Sequence, residues 1–490
     1  MIYLLLLLSF DPRYHDHAAV FSAMDSLMRQ YPGCVRLDTI GYSTRDSLAI
    51  PAIMISDHAD LDEDEPAVLF IGGHHAEEVL GVELCLYMAR DLLNRYRIDP
   101  EVTGWIDNRE IWIIPDLNAE GHEVVLSGMD TIWRKDKRDN NDNGVFDLDY
   151  DGVDLNRNYD FHFAEGGTSD PASENYRGPD PFSENESRAI RDLVLGRPFV
   201  AAISYHSART GQGQVVYYPW HHPGGYAPDI PFIRLVADSV AKSILRDDGS
   251  GHYFALIGEG LDGQARNWLY GVCGTFAFEI EVSTACIQPG WMVDSICIRN
   301  LGGMYYLISR VGSCVITGHI TDARTRQPIV AEVILQGYCD PTLTPRRSEA
   351  RYGRYTRIVN PGSYTVTVQR SGYVTRTVTG ITADHGSETV VDIALEPIEY
   401  ATSIAPVEPI QAIPNPAGSY PVIRLARPDE IQTLEIYDHA GRLLYTIERP
   451  DRDTAWLLKD QNQRDVTNGV YFIVARSGDS LITKKIVLLR

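Results

Sequence analysis

Two histidines and two glutamates crowd one short stretch, His74-His75-Ala76-Glu77-Glu78. The pattern H-x-x-E fits there in two registers, His74 with Glu77 and His75 with Glu78. Residues three apart on a helical turn share a face, so either pair can hold one cation. Zinc suits imidazole plus carboxylate, with a third ligand from elsewhere in the chain. The plainer alternative is a solvated helix start, where Glu is favoured in any case.

Other polar residues stand where a site would want them. His206 ends the apolar run 199–206 (FVAAISYH), and Glu279 lies inside 274–282 (GTFAFEIEV). A Glu within an apolar strand is costly unless it has a partner or a task. Asn156 and Arg157 follow an apolar alternation in 152–159 (GVDLNRNY), and Arg134 lies in a cationic loop, 128–138. The next stretch, 139–151 (DNNDNGVFDLDYD), is dense in oxygen ligands. Asp139, Asn141 and Asn143, then Gly144 and Asp147, match the first part of a calcium loop. Tyr150 holds the twelfth position in place of a bidentate Glu, so a solvated acidic turn is the alternative.

The elements that must position these residues are legible around them. Residues 67–71 (AVLFI) read as a buried strand, ended by Gly72-Gly73, with a helix from Glu77 onward. Residues 110–115, 199–206 and 274–282 read as further buried strands. Polar groups at the ends of buried strands are how open α/β sheets build sites. Residues 11–27 read as a helix, and 36–56 as a hairpin.

The 490 residues call for several domains, and 44% hydrophobic content is enough for ordinary cores. A net charge of −23 argues against nucleic acid and anionic membranes as partners. The seven cysteines form no C-x-x-C, and the odd count leaves at least one unpaired. Cys286–Cys297 and Cys314–Cys339 are the pairings to test. Residues 1–10 (MIYLLLLLSF) read as the remnant of an export signal, too short to span a bilayer.

Residues 11–312 resemble the zinc carboxypeptidases related to pancreatic carboxypeptidase A. The matching pieces, in the family's order, are GGHHAEE (72–78), WRK (133–135), GVDLNRNY (152–159), YRGPDPFSENE (176–186), SYHS (204–207) and TFAFEIE (275–281). The resemblance implies a mixed-sheet α/β domain that removes C-terminal residues from peptides. It selects His75 and Glu78 as zinc ligands, with His206 as the third, the His2Glu set of carboxypeptidase A. It assigns Glu279 as the catalytic acid–base and Arg134 as the oxyanion donor. Asn156 and Arg157 would hold the substrate's terminal carboxylate, and Asp154 would orient His75.

Two features depart from the family's usual pattern. A substrate-loop tyrosine is expected some twenty residues before the catalytic Glu, yet 256–268 (LIGEGLDGQARNW) has none, and neither Tyr253 nor Tyr270 aligns well. Arg266, two positions before Trp268, falls where the family lines the base of its specificity pocket, which implies a preference for acidic C-terminal residues. The segment from Trp268 to Glu279 is short, so the alternative is a slipped alignment with Gln264 or Ala265 in the pocket.

Residues 313–398 read as short alternating strands and resemble the transthyretin-like regulatory module that follows such peptidases, a β-sandwich with a scaffold or docking role. Residues 399–414 read as a Pro-containing linker. Residues 415–490 resemble the C-terminal sorting domain of the type IX secretion system, on NP (415–416), LEIYDHAGR (434–442), TNGVYFIV (467–474) and the closing KKIVLLR. The expectation is a secreted or surface-held zinc metallocarboxypeptidase with two small all-β domains, passed out by an export machine. The competing readings are a zinc amidohydrolase of the same fold, acting on cell-wall or γ-glutamyl peptides, and a surface binding protein with an inactive peptidase fold.

Overall fold

A computed structural model describes residues 10–208, 213–260, 262–340, 343–398, 410–417, 420–477 and 480–489. The chain forms two compact units, Met1–Ile398 and Glu399–Arg490.

The first unit is built on a mixed sheet. Its strands are β1 (Val35–Tyr42), β2 (Ala49–Ile55), β3 (Ala67–Ile71), β4 (Glu110–Ile114), β5 (Phe199–His206), β6 (Val215–His222), β7 (Gly225–Tyr226), β8 (Phe254–Glu259) and β9 (Phe276–Glu281). They are ordered β1-β2-β4-β3-β5-β9-β6-β7, with β8 also on β6. The centre, β4-β3-β5-β9, is parallel, whereas β1, β2 and β6 join antiparallel. Central strands covered on both faces need unbroken apolar runs, and every residue of β3 is buried.

Helices α1 (His17–Gln30), α2 (Leu80–Arg95), α3 (Pro100–Ile106), α4 (Ala119–Leu126), α5 (Asn185–Gly196), α6 (Ile230–Lys242), α7 (Ala265–Trp268) and α8 (Gly290–Arg310) accompany the sheet. Asp16 caps α1 through the Ala19 N–H at 2.8 Å, so this helix begins six residues later than its apolar pattern suggests. Helix α2 begins at Leu80 rather than Glu77, because residues 74–78 are bent into the turn that carries the His and Glu pairs. Gly72 permits that turn: a Cβ there would lie 2.4 Å from the Pro115 carbonyl oxygen and 2.7 Å from that of Gly81.

Residues 315–395 complete the first unit with β10 (Val315–Asp322), β11 (Glu332–Leu335), β12 (Arg354–Ile358), β13 (Gly362–Gln369), β14 (Arg376–Ala383), β15 (Glu388–Val390) and β16 (Ile393–Leu395). Their core is continuous with that of the mixed sheet. Arg357 Nη2 pairs with Asp229 Oδ1 at 2.9 Å, Arg354 Nε with Asp64 Oδ1 at 2.7 Å, and Tyr352 donates to the Asp62 carbonyl at 2.6 Å.

The second unit has its own core around Trp456, Leu434, Ile436 and Ile473. Its strands are β17 (Ile410–Ile413), β18 (Val422–Leu425), β19 (Thr433–Asp438), β20 (Leu443–Glu448), β21 (Asp453–Ala455), β22 (Gly469–Ser477) and β23 (Ser480–Leu488), in sheets β17-β18-β21 and β20-β19-β22-β23. Residues 410–413, read as linker from their neighbouring prolines, instead pair with β18, and Ile410 and Ala412 are buried. Residues 399–409 of that linker, and 1–9 of the expected export segment, lie outside the described residues. Cys297, Cys314 and Cys339 are free thiols, so neither candidate disulfide forms.

Candidate active site

The centre of the site lies at the carboxyl ends of β3 and β5. His75 Nδ1 is 2.9 Å from Glu78 Oε1, His206 Nδ1 is 2.8 Å from Glu78 Oε2, and the two Nδ1 atoms are 3.0 Å apart. All three side chains are buried. Their outer atoms are held from behind: His75 Nε2 meets Asp154 Oδ1 at 3.2 Å, and His206 Nε2 meets Ser204 Oγ at 3.0 Å. A carboxylate and two imidazole nitrogens converging on one point, with the far nitrogens anchored, fit a zinc ion in chemistry and in outer support. Burial alone would push the Glu78 carboxyl up, but the two facing imidazoles outweigh it and hold the group ionised.

The other register is not used this way. His74 turns to Tyr159, whose hydroxyl lies 2.9 Å from Nε2, and to Ser204, whose Oγ lies 2.9 Å from Nδ1. Burial, with His206 and His75 beside it, keeps His74 neutral. Glu77 faces Arg134 at 3.9 Å.

Arg134 reaches the ligand cluster from the loop after α4. Its Nε donates to Asp154 Oδ2 at 2.9 Å and its Nη1 lies 3.1 Å from His75 Nδ1. Asp154 therefore orients an imidazole with one oxygen and a guanidinium with the other. Glu279, on β9 beside β5, accepts from Asn156 Nδ2 at 3.2 Å and lies 3.5 Å from Arg266 Nη1. Asn156 Oδ1 in turn accepts the Ala265 N–H at 3.0 Å, which ties the loop to α7. Burial raises the Glu279 carboxyl, but His206, Arg266, the Asn156 hydrogen bond and Arg157 together bring it down to about 2. The half-buried Arg157 is thus close enough to Glu279 and Asp154 to lower both.

Arg266 is 3% exposed, far from a surface cation. Its Nη2 donates to Gln264 Oε1 at 2.7 Å, and its guanidinium lies over the Tyr217 ring at 5.8 Å. Gly258 makes room for it, since a Cβ there would meet Nη2 at 2.4 Å. Tyr217 escaped the sequence reading. Its strand partner is Glu279, so both share one face of the sheet, and the alternation of 215–218 (VVYY) is the signal that singles it out. Tyr253 and Tyr270 are engaged elsewhere: the Tyr253 hydroxyl accepts the Ser283 N–H at 2.9 Å, and Tyr270 donates to Asp229 Oδ2 at 3.0 Å.

The loop 139–151 is folded on its own oxygens. Asp139 accepts the Gly144 N–H at 2.7 Å and the Asn143 N–H at 3.2 Å, and Asn141 Nδ2 reaches Asp147 Oδ2 at 3.3 Å. Asp151, not Tyr150, closes the loop, accepting the N–H groups of Asn140 and Asp147 at 3.0 Å each.

Residues 20–292 match the zinc carboxypeptidase family, and they make up more than half of the chain. The protein belongs to that family. Residues 315–396 of the peptidase match a carboxypeptidase regulatory-like domain and 411–489 a secretion system C-terminal sorting domain. The peptidase is 28% identical to carboxypeptidase A2 of Mus musculus over 275 residues, covering 55% of this chain and 62% of that protein. It is 28% identical to carboxypeptidase B of Astacus astacus over 219 residues, covering 44% and 66%. The chain thus spans about two thirds or less of the length of these relatives. The solved structure of carboxypeptidase A from Helicoverpa armigera superposes with a TM-score of 0.53 at 21% identity, covering 60% of this chain and 72% of that one, which establishes the shared fold. The sorting domain marks the peptidase as secreted or held at the cell surface. Among the described residues, no helix is long and apolar enough to cross a membrane.

Proposed function

We propose that this protein is a zinc metallocarboxypeptidase that releases the last residue of peptides and protein C-termini. The observation that supports it is the convergence of His75, Glu78 and His206, with Glu279 on the adjoining strand. When bound by those three residues, zinc lowers the pKa of water to roughly 7 and polarises a carbonyl. Glu279 would take the proton of the attacking water and return it to the leaving amine. Arg134, fixed by Asp154, would donate to the developing oxyanion. Arg157 would pair with the substrate's terminal carboxylate, with the Asn156 amide beside it. Arg266 would sit at the end of the pocket that takes the last side chain and favour Glu or Asp there. The loop of Asp139, Asn141, Asn143 and Asp147 would bind calcium and stiffen the path from Arg134 to Asn156. The sorting domain would hand the protein to the export machinery that reads it.

The test is hydrolysis of N-blocked dipeptides by the zinc-loaded protein, alongside the same substrates amidated at the C-terminus. Release from the free acids alone is expected, because Arg157 needs a carboxylate. Glu279→Gln is expected to keep one zinc and lose turnover by several orders of magnitude. Equal cleavage of amides, or full activity in Glu279→Gln, would overturn the assignment, and the amide result would favour an amidohydrolase.

A further inference from the structure

Close to Arg134 in the chain, at Asp136, four acidic side chains meet without enough positive charge. Glu120 comes from α4, Asp136 from the loop after it, and Glu184 and Glu186 from the start of α5. All four are fully buried. One oxygen each from Glu120, Asp136 and Glu186 lie within 4.8 Å of one another, and Glu184 neighbours Asp136. Among the described residues, the cation paired with this group is Arg138, whose partly exposed side chain reaches Glu184 Oε1 at 3.2 Å.

The hydrogen bonds already made favour the ionised forms. Glu120 accepts the backbone N–H groups of Asp46 at 2.8 Å, Arg45 at 3.1 Å and Lys137 at 3.2 Å, using both oxygens. Asp136 Oδ1 accepts those of Val153 at 2.7 Å and Arg138 at 3.1 Å. Glu186 accepts the N–H of Thr44 at 2.9 Å and its hydroxyl at 2.6 Å. Two oxygens are left over. Asp136 Oδ2 and Glu184 Oε2 are buried and have no hydrogen-bond partner. Buried, unpaired carboxylate oxygens in mutual repulsion are costly, and either protons or a cation must compensate them. Burial and the neighbouring carboxylates push Glu186 up to about 8 and raise Asp136 as well.

We propose that this is a binding site for a hard divalent cation, calcium in an exported protein, held by Glu120, Asp136, Glu184 and Glu186. The spread of the Glu120, Asp136 and Glu186 oxygens fits: ligands at about 2.3–2.6 Å from calcium stand at most about 5 Å apart across it. Carboxylate oxygens alone, with no imidazole or thiol among them, select such an ion over zinc. The site is distinct from the loop at 139–147 and lies at that loop's base. The Asp136 N–H donates to the Val153 carbonyl and the Val153 N–H to Asp136 Oδ1, and a Cβ on Gly152 would come within 2.5 Å of the Asp136 carbonyl oxygen. A cation here fastens together the two segments that carry Arg134 and Asp154, and joins both to the Thr44 turn and to α5.

The experiment uses the full zinc-loaded chain carrying Asp139→Ala and Asp147→Ala, so that the surface loop contributes no ion. Three readouts are taken at pH 7.5: retained calcium after desalting, Tm with and without millimolar CaCl2, and terbium luminescence excited through tryptophan. Trp133 serves as antenna, since its indole N–H donates to the Asp136 carbonyl at 3.2 Å. One calcium per chain, a Tm raised by several degrees and sensitised terbium emission are expected. Adding Asp136→Asn, or separately Glu184→Gln, should weaken terbium and calcium binding at least tenfold. No retained calcium with an unchanged Tm would overturn the proposal in favour of shared protons, whatever the fate of the second-step variants. Undiminished binding in both variants would also overturn it.

Discussion

Arg266 Nη1 lies 3.5 Å from Glu279 Oε2, and both residues are buried. One guanidinium therefore stands beside the proposed acid–base. It helps to lower Glu279, and in the role proposed above it is the cation that an acidic substrate side chain would meet. That role would couple specificity and the strength of the base through one residue.

The first consequence concerns side-chain preference. A desolvated arginine favours a carboxylate that replaces its lost hydration in a bidentate pair. Peptides ending in Glu should exceed those ending in Phe or Lys by at least tenfold in kcat/KM, which corresponds to about 1.4 kcal/mol. Arg266→Ala should erase that lead with zinc content unchanged. A native preference for Phe or Lys would refute the assignment.

The second concerns pH. Removing a cation beside a carboxyl raises its pKa. In Arg266→Ala the acidic limb of kcat/KM against pH, measured with a Phe-ending peptide, should move to higher pH. An unmoved limb would separate Arg266 from the base.

The candidate trio was legible in the sequence because H-x-x-E is a pattern of spacing and the family resemblance added His206 at the end of its strand. Spacing alone left the register open, since both pairs obey it, and the family resemblance selected His75 with Glu78. In the structure His74 turns towards Tyr159 while His75 faces Glu78. The Arg266–Glu279 and Asn156–Glu279 contacts were also hidden, because they join segments brought together by β9 and α7. Strand β17 was read as linker because Pro409 and Pro414 flank it. Proline is excluded from the interior of a ladder but not from its ends, so the alternation of Ile410 and Ala412 was the better guide. The carboxylates of Glu120, Asp136 and Glu186 come from three segments and share no motif.

The surface loop supplies a third prediction. Asp139 and Asn141 both accept the Asn143 N–H, and Asn141 Nδ2 reaches Asp147 Oδ2, so these side chains stand together. Binding to the folded state alone raises stability by mass action. Starting calcium-free, millimolar calcium should raise Tm, and Asp139→Ala with Asp147→Ala should remove one bound calcium per chain. An unchanged stoichiometry would exclude the loop as a site.

Glu65 makes a prediction about stability. Burial, with Glu63, Asp57 and Glu110 nearby, lifts its carboxyl from 4.5 to about 7. The fold thus prefers its protonated form. That contribution is full below the ordinary carboxyl range and is lost as pH rises through about 7. The group is only half buried, so solvent screening limits the effect to about 1 kcal/mol. Glu65→Gln should lose less Tm than the parent between pH 5 and pH 8. An identical loss in both would rule out Glu65 as a source of the pH dependence.

The last prediction separates the two all-β modules. The regulatory-like module shares a continuous core with the peptidase sheet and is joined to it by the buried Arg357–Asp229 pair, whose side chains are 8% and 2% exposed. Asp229 also receives the hydroxyl of Tyr270, so Arg357→Ala would leave a buried carboxylate short of its cation. Breaking such a pair costs about 3–5 kcal/mol. The C-terminal unit, by contrast, packs around its own core at Trp456. A chain ending at Ile398 should therefore match the full chain in Tm of the peptidase transition and in turnover. Arg357→Ala should lower that Tm by several degrees while leaving the C-terminal unit's transition in place. Differential scanning calorimetry of the three proteins reads both effects. If the shortened chain loses turnover while still folded, the tail takes part in catalysis and the division of labour is wrong. If Arg357→Ala leaves the peptidase transition unmoved, the regulatory-like module is no scaffold for the sheet.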